Sequence, residues 1–129
     1  MSEAPTTAEL RRVLGHFATG VTIVTGMSPD GRPVGFACQS FASVSLDPPL
    51  VLFCASRSGR SWPLLRHTGA FCVNVLRHDQ RELADRFGSP TGRRYEGLDW
   101  ERSAHGAPSL PGVLMRVHGA ITEVHEAGD

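Results

Sequence analysis

Apolar residues recur along this chain first at helical and then at strand spacing. Leu10, Val13, Leu14 and Phe17 fall at i, i+3, i+4 and i+7, and Thr6 stands three residues before Glu9, as in a capping box. The spacing predicts an amphipathic helix that ends near Gly20. Val21 to Thr25 is β-branched throughout, Ser28-Pro29-Asp30-Gly31 carries turn chemistry, and Pro33 to Gln39 reads as a second strand, so a hairpin is expected. After Pro48-Pro49 the run Leu50-Val51-Leu52-Phe53-Cys54 is apolar without alternation. That predicts a strand buried on both faces in the middle of a sheet.

Ala55 to Arg60 is small and polar, and Ser61-Trp62-Pro63-Leu64-Leu65 then starts a short helix, with Ser61 expected at its N-cap and proline tolerated in the first turn. Ala70 to Leu76 is a further strand. Asp79 is expected to cap a helix carrying Leu83 and Phe87, and Gly88 to Gly112, rich in Gly, Pro, Ser and Arg, reads as a long surface loop anchored by Tyr95, Leu98 and Trp100. Val113 to His125 mixes apolar and polar residues with β-branching at Val117, Ile121, Thr122 and Val124, a last strand. Such a series, with few helices and local connections, predicts a mainly β, antiparallel barrel with peripheral helices. No glycine-rich GxGxxG follows a strand, which argues against a doubly wound dinucleotide fold.

Composition narrows the partners. A chain of 129 residues is expected to fold as one domain, 1–129, and a chain of that size hides roughly two thirds of its extended surface on folding. Formal charge is zero with both signs interspersed, so neither a nucleic-acid stripe nor a polybasic membrane anchor is visible. All 13 cations are arginine, which removes a phosphate-loop lysine, a Schiff-base lysine and a lysine general base. Cys38, Cys54 and Cys72 lie among apolar residues without zinc spacing, and are expected to be buried free thiols of a reducing, cytoplasmic compartment. The start MSEAPTTAEL lacks an apolar signal core, and no apolar run nears the roughly 20 residues of a membrane helix.

The six histidines form no metal-ligand spacing, and no serine sits in a GxSxG elbow, so no metal site and no hydrolase nucleophile is expected. Asp85 with Arg86, and Arg93 with Arg94, read as solvated faces. The more pointed pattern is a pair of hydroxyl-rich loops, Gln39 to Ser45 and Ser56 to Ser61. Ser56, Arg57, Ser58, Arg60 and Ser61, leading into a helix N-terminus, could hold a phosphate, and the short residues from Cys38 to Phe41 could let backbone N–H groups approach a flat ring. The residues alone leave this open against an ordinary polar loop.

ELRRVLGHFATGVTIVT, DGRPVGFACQSFASVSLDPPLVLFC, FCVNVL and the RFG at Arg86 to Gly88 together resemble the flavin reductase family with the FMN-binding split-barrel fold, from about residue 9 to the end. That family includes the reductase components of two-component flavin-dependent monooxygenases. The form ACQSFASVSLDPP is similar to that of reductases serving hydroxylases of phenolic secosteroids. The resemblance implies an antiparallel split barrel that binds FMN or FAD, takes hydride from NADH or NADPH, and passes diffusible reduced flavin to a separate monooxygenase. It also implies a homodimer, while the balanced, interspersed charge already argues against nucleic acid or membrane as a partner. By position, Ala37, Cys38, Gln39, Ser40 and Phe41 would face the ring and ribityl chain, and Ser56, Arg57 and Ser61 the phosphate. No catalytic acid or base is implied, because hydride passes directly between stacked rings. Relatives usually continue past the position of Asp129 with a histidine and further strands, so the barrel is expected to lack its C-terminal strands. A non-enzymatic flavin carrier or sensor is the alternative that this feature suggests.

Overall fold

The computed structural model describes residues 4–14, 16, 20–89 and 93–129. Among the described residues, eight strands and three helices follow in the order α1 Thr7–Leu14, β1 Thr22–Met27, β2 Pro33–Cys38, β3 Ala42–Leu46, β4 Pro49–Leu52, α2 Ser61–Thr68, β5 Ala70–Val75, α3 Arg81–Gly88, β6 Glu101–Arg102, β7 Pro108–Ser109 and β8 Met115–Ala120. All pairings are antiparallel, in a four-stranded sheet of order β2-β1-β5-β8 and two separate hairpins, β3-β4 and β6-β7. The mainly β, antiparallel class with few helices therefore holds.

β1 lies inside the sheet and is buried along its whole length, as its β-branched run requires. Val24 points into a cluster with Leu65 of α2 and Phe71 and Val73 of β5, onto which the β3-β4 hairpin lays Val51 and the adjoining Phe53. Ile23 points the other way, against Phe87 of α3 and Leu110, with Tyr95 and Trp100 behind them. The two faces of one sheet thus carry two cores. Close packing sets one residue: a Cβ on Gly26 would stand 2.5 Å from Leu65 Cγ, so α2 can cross β1 only over glycine.

Asn74, fully buried on β5, fastens the 108–110 segment to the sheet. Its Nδ2 donates to Ile23 O at 2.9 Å and Thr25 Oγ1 at 3.0 Å, and its Oδ1 accepts the Leu110 N–H at 3.2 Å. Thr25 Oγ1 in turn donates to Pro108 O at 2.6 Å. Beside this network burial pushes the Cys72 thiol up to about 11. His118 stacks on His105 at 4.7 Å, and burial, with His105 and Arg116 adding, holds its pKa below the usual histidine range.

Several expectations are corrected by the packing. The Thr6–Glu9 capping box forms, with both bonds at 3.1 Å; the described helix spans Thr7–Leu14, and the expected stretch on to Gly20, Phe17 included, lies largely outside the described residues. The apolar run 50–54 is not a mid-sheet strand. β4 pairs only with β3, and alternation turns Val51 and Phe53 inward while Leu50 and Leu52 stay exposed. Ser43 and Ser45 belong to β3 rather than to a loop, around a bulge at Val44. Arg60 and Gln80, not Ser61 and Asp79, occupy the N-cap positions, because the Ser61 side chain is drawn to β2. The long loop contains the short β6-β7 hairpin, and residues 121–129 follow β8 without ladder pairing, so His125 is not on a strand with His118. Cys38 and Cys72 are buried, Cys54 is exposed, and all three thiols are free.

Asn74→Ala leaves the Leu110 N–H without its partner in a dry site and takes a donor from Thr25 Oγ1, a loss of about 2 kcal/mol. Urea unfolding should register it as a lower midpoint at unchanged slope; a loss under about 1 kcal/mol would show that water replaces the amide.

Candidate functional site

β2 is an edge strand, and of the predicted residues Ala37 and Cys38 lie on it, with Gln39, Ser40 and Phe41 following it. In an antiparallel pair, residues alternate between those that exchange both backbone bonds with the partner strand and those whose N–H and C=O point away. Gly35, opposite Thr25, is of the second kind: its N–H donates to Ser61 Oγ at 3.3 Å and its C=O accepts from the same hydroxyl at 2.9 Å. A Cβ here would be tightly held, meeting Phe87, the Tyr95 hydroxyl and Val24 O at 3.1 Å each. Ala37, opposite Ile23, has the same parity, so its N–H and C=O face the same free edge. No described side chain takes the place at Ala37 that Ser61 takes at Gly35.

Strand alternation divides the ring set between two faces. Cys38 is buried in the Val24–Phe71 core, with Phe41 packed against it from the loop that follows. Ala37 and Gln39 face α3, where with Val21, Arg81, Ala84 and Asp85 they line an open groove of about 640 Å³, within the usual range of small-molecule pockets. Its floor of Val21, Ala37 and Ala84 is apolar and shallow. Its rim carries the exposed Gln39 and an Arg81–Asp85 pair at 3.9 Å. Ser40 turns back: its Oγ accepts the Cys54 N–H at 3.2 Å, approaches Cys54 O at 3.3 Å and lies 3.4 Å from Cys38 Sγ.

The second loop is a tight turn. Ser56 Oγ accepts the Ser58 N–H at 3.3 Å and shares a 2.9 Å bond with Ser58 Oγ, while Gly59 N donates to Ser56 O at 3.2 Å. Arg57 is exposed, with its guanidinium 3.7 Å from Glu126 and its N–H donating to Asp129 O at 2.8 Å. Ser40 thus reaches Cys54, just ahead of the second loop, and Gly35 of β2 reaches Ser61 at that loop's end. Ala37, Gln39, Ser40, Ser56 and Arg57 remain at the surface there, whereas Cys38 and the Ser61 hydroxyl are committed inside.

Sequence reasoning missed Arg94, which it placed with Arg93 on a solvated face. Arg93 is exposed, but Arg94 is half-buried and gives Nη1 to Gly35 O and to Ser61 Oγ, the latter at 3.0 Å, and Nη2 to Ser89 O at 3.0 Å. Burial, with Arg60 adding to it, lowers its pKa from the usual arginine value. Tyr95 beside it donates to Val34 O at 2.8 Å. The only signal in the sequence was the aromatic Tyr95 next to the arginine.

Residues 14–129 match the family model described as flavin reductase like domain. The reductase subunit HsaB of a flavin-dependent monooxygenase from Rhodococcus jostii is 48% identical over 128 residues, which is 99% of this chain and 65% of that protein. The crystal structure of nitrilotriacetate monooxygenase component B from Mycobacterium thermoresistibile is similar at 49% identity and a TM-score of 0.88, covering 93% of this chain and 66% of that one. The Streptomyces globisporus NADH:FAD oxidoreductase SgcE6, in complex with NAD and FAD fragments, is similar at 37% identity and a TM-score of 0.84, over 95% of this chain and 73% of the other. The chain spans 65% of the length of the curated relative from Rhodococcus.

Proposed function

The chain belongs to the flavin reductase like domain family, and on that premise we propose that it binds FMN or FAD at the free edge of β2. The protein then transfers hydride from NADH or NADPH to that flavin and releases reduced flavin to a separate flavin-dependent monooxygenase. One observation carries the reading: the Ala37 N–H and C=O stand open on the edge that side chains close two residues earlier at Gly35, beside a groove of about 640 Å³ with an apolar floor. A flavin's pyrimidine rim offers both donors and acceptors, and its flat ring suits a floor of Val21, Ala37 and Ala84. The relative solved with NAD and FAD fragments supports the pairing of a nicotinamide with a flavin.

The residues have distinct tasks in this scheme. Ala37 meets the ring through its backbone, and Gln39 reaches it from the rim with a side-chain amide. Cys38, Ser40 and Phe41 hold the strand end against β4 and Cys54, and so shape the ring site from behind. Ser56 and Arg57 offer a hydroxyl and a guanidinium to the phosphate. Ser61, whose hydroxyl is bonded to Gly35, fixes the edge and keeps its N–H at the start of α2 for an anion. The bound flavin supplies the redox chemistry, and what the protein adds is stacking at roughly 3 to 3.5 Å and exclusion of water. We take the four-stranded sheet and the β3-β4 hairpin as the two sides of one split-barrel domain.

The partner of the exposed hairpin is a second copy of the chain. Val44, Leu46, Leu50 and Leu52 are all exposed there, and no ionised side chain interrupts β3 or β4. An uncharged aliphatic patch is self-complementary across a two-fold axis, whereas a charged partner would find nothing to pair with. In cells we place the protein in the cytoplasm, for its free thiols; among the described residues no helix is long and apolar enough to cross a membrane.

The whole protein should oxidise NADH or NADPH only when flavin is added, and Gln39→Ala should raise the flavin Kd by about fivefold, as loss of one hydrogen bond does. Flavin binding without reduction by either nicotinamide would select the carrier or sensor reading, and an unchanged Kd would move the ring site elsewhere. In sedimentation, Leu46→Glu should convert a dimer into monomers; a variant that stays dimeric places the interface on another face.

A further inference from the structure

Among the described residues Arg94 has no counterion, although it is half-buried. Its donors go to Gly35 O, Ser61 Oγ and Ser89 O, all neutral oxygens, and its Nε is buried with no hydrogen-bond partner. Among the described residues no carboxylate lies within ion-pair distance of it, and its charged neighbour is another cation, Arg60. A charge withdrawn from water without an opposite charge is unfavourable, and folding alone gives no reason for it, since a neutral donor could close the same carbonyls. A ligand that brings negative charge to the edge would supply the reason.

The geometry also says how the charge acts. Three anchors on β2, α2 and the end of α3 hold the guanidinium still, so it serves as a fixed charge rather than as a mobile ligand for an anion. Gly35 and Ala37 are two residues apart on one strand, about 7 Å, and both point their backbone groups to the same edge. At that range, in a partly desolvated site, a unit charge changes the affinity for an anion by about tenfold or more. An oxidised flavin ring is neutral and a reduced one carries negative charge, so a fixed cation beside the ring acts on one redox state and not the other.

We propose that Arg94 is a positioning residue whose fixed charge favours the reduced, anionic form of the flavin ring docked at Ala37. This rests on the flavin reading given above. The test measures dissociation constants anaerobically for oxidised and for chemically reduced flavin, using both riboflavin and FMN, on the parent protein and on Arg94→Met, Arg94→Lys and Ser89→Asp. In Arg94→Met the reduced form should lose about tenfold more affinity than the oxidised form, equally with riboflavin and with FMN. Arg94→Lys should restore most of the preference. Ser89→Asp keeps the backbone oxygen that Nη2 holds and adds a carboxylate at the same residue to offset the Arg94 charge; it should lose the preference too, and it decides the matter should Arg94→Met fail to fold.

Equal weakening of both redox states would reduce Arg94 to a structural strap, and a loss confined to FMN would assign its charge to the phosphate; either overturns the proposal. A parent protein that binds neither flavin would instead sink the flavin reading itself.

Discussion

The Ser61 hydroxyl accepts the Gly35 N–H and donates to the Gly35 carbonyl, and much else in the molecule is arranged around that two-way bond. It docks the first residue of α2 on the outer edge of the sheet and removes Ser61 from the cap. It also leaves Arg94 a carbonyl and a hydroxyl oxygen to hold. An edge strand with open backbone groups invites pairing with any other strand. Here Ser61 and Arg94 close the edge at Gly35 with side chains, and the closure stops just short of Ala37. The opening is therefore local, one residue's pair of backbone groups next to a groove.

The sheet behind that edge does two jobs at once. On the face toward α2 it packs Val24, Phe71 and Phe53 into a core that contains Cys38, and on the face toward α3 it packs Ile23 against Phe87 and supports Ala37. Buried apolar surface holds both faces, but only the second ends in a groove, because α3 stands away from the end of β2 where Ala37 and Gln39 emerge. Asn74 connects the faces to the long segment after α3, which brings Tyr95 and Arg94 back to the edge. A stable scaffold thus presents a small opening, which suits a ligand that binds and then leaves.

Local chemistry was legible in the sequence and long-range placement was not. The capping box at Thr6, the β-branched β1, the turn at Ser28–Gly31 and the small residues at the end of β2 each follow from a few adjacent residues. β4 was misplaced because an apolar run reads the same whether both faces are covered or one face awaits another surface. The serines of β3 looked like a loop because hydroxyls favour turns, yet pairing with β4 outweighed that preference. The split of the ring set also follows from period two, since Ala37 and Cys38 cannot share a face. Arg94 was illegible for a plainer reason: its partners Gly35 and Ser61 are 59 and 33 residues away.

The central claim is that the opening at Ala37 is where the ring docks, and amide hydrogen exchange resolved by residue, with and without FMN, tests it most directly. Gly35 is already bonded to Ser61, so its exchange should barely change, whereas the Ala37 amide should exchange fast in the free protein and slow by tenfold or more when FMN binds. Tight FMN binding that leaves the Ala37 amide as fast as before would contradict the account.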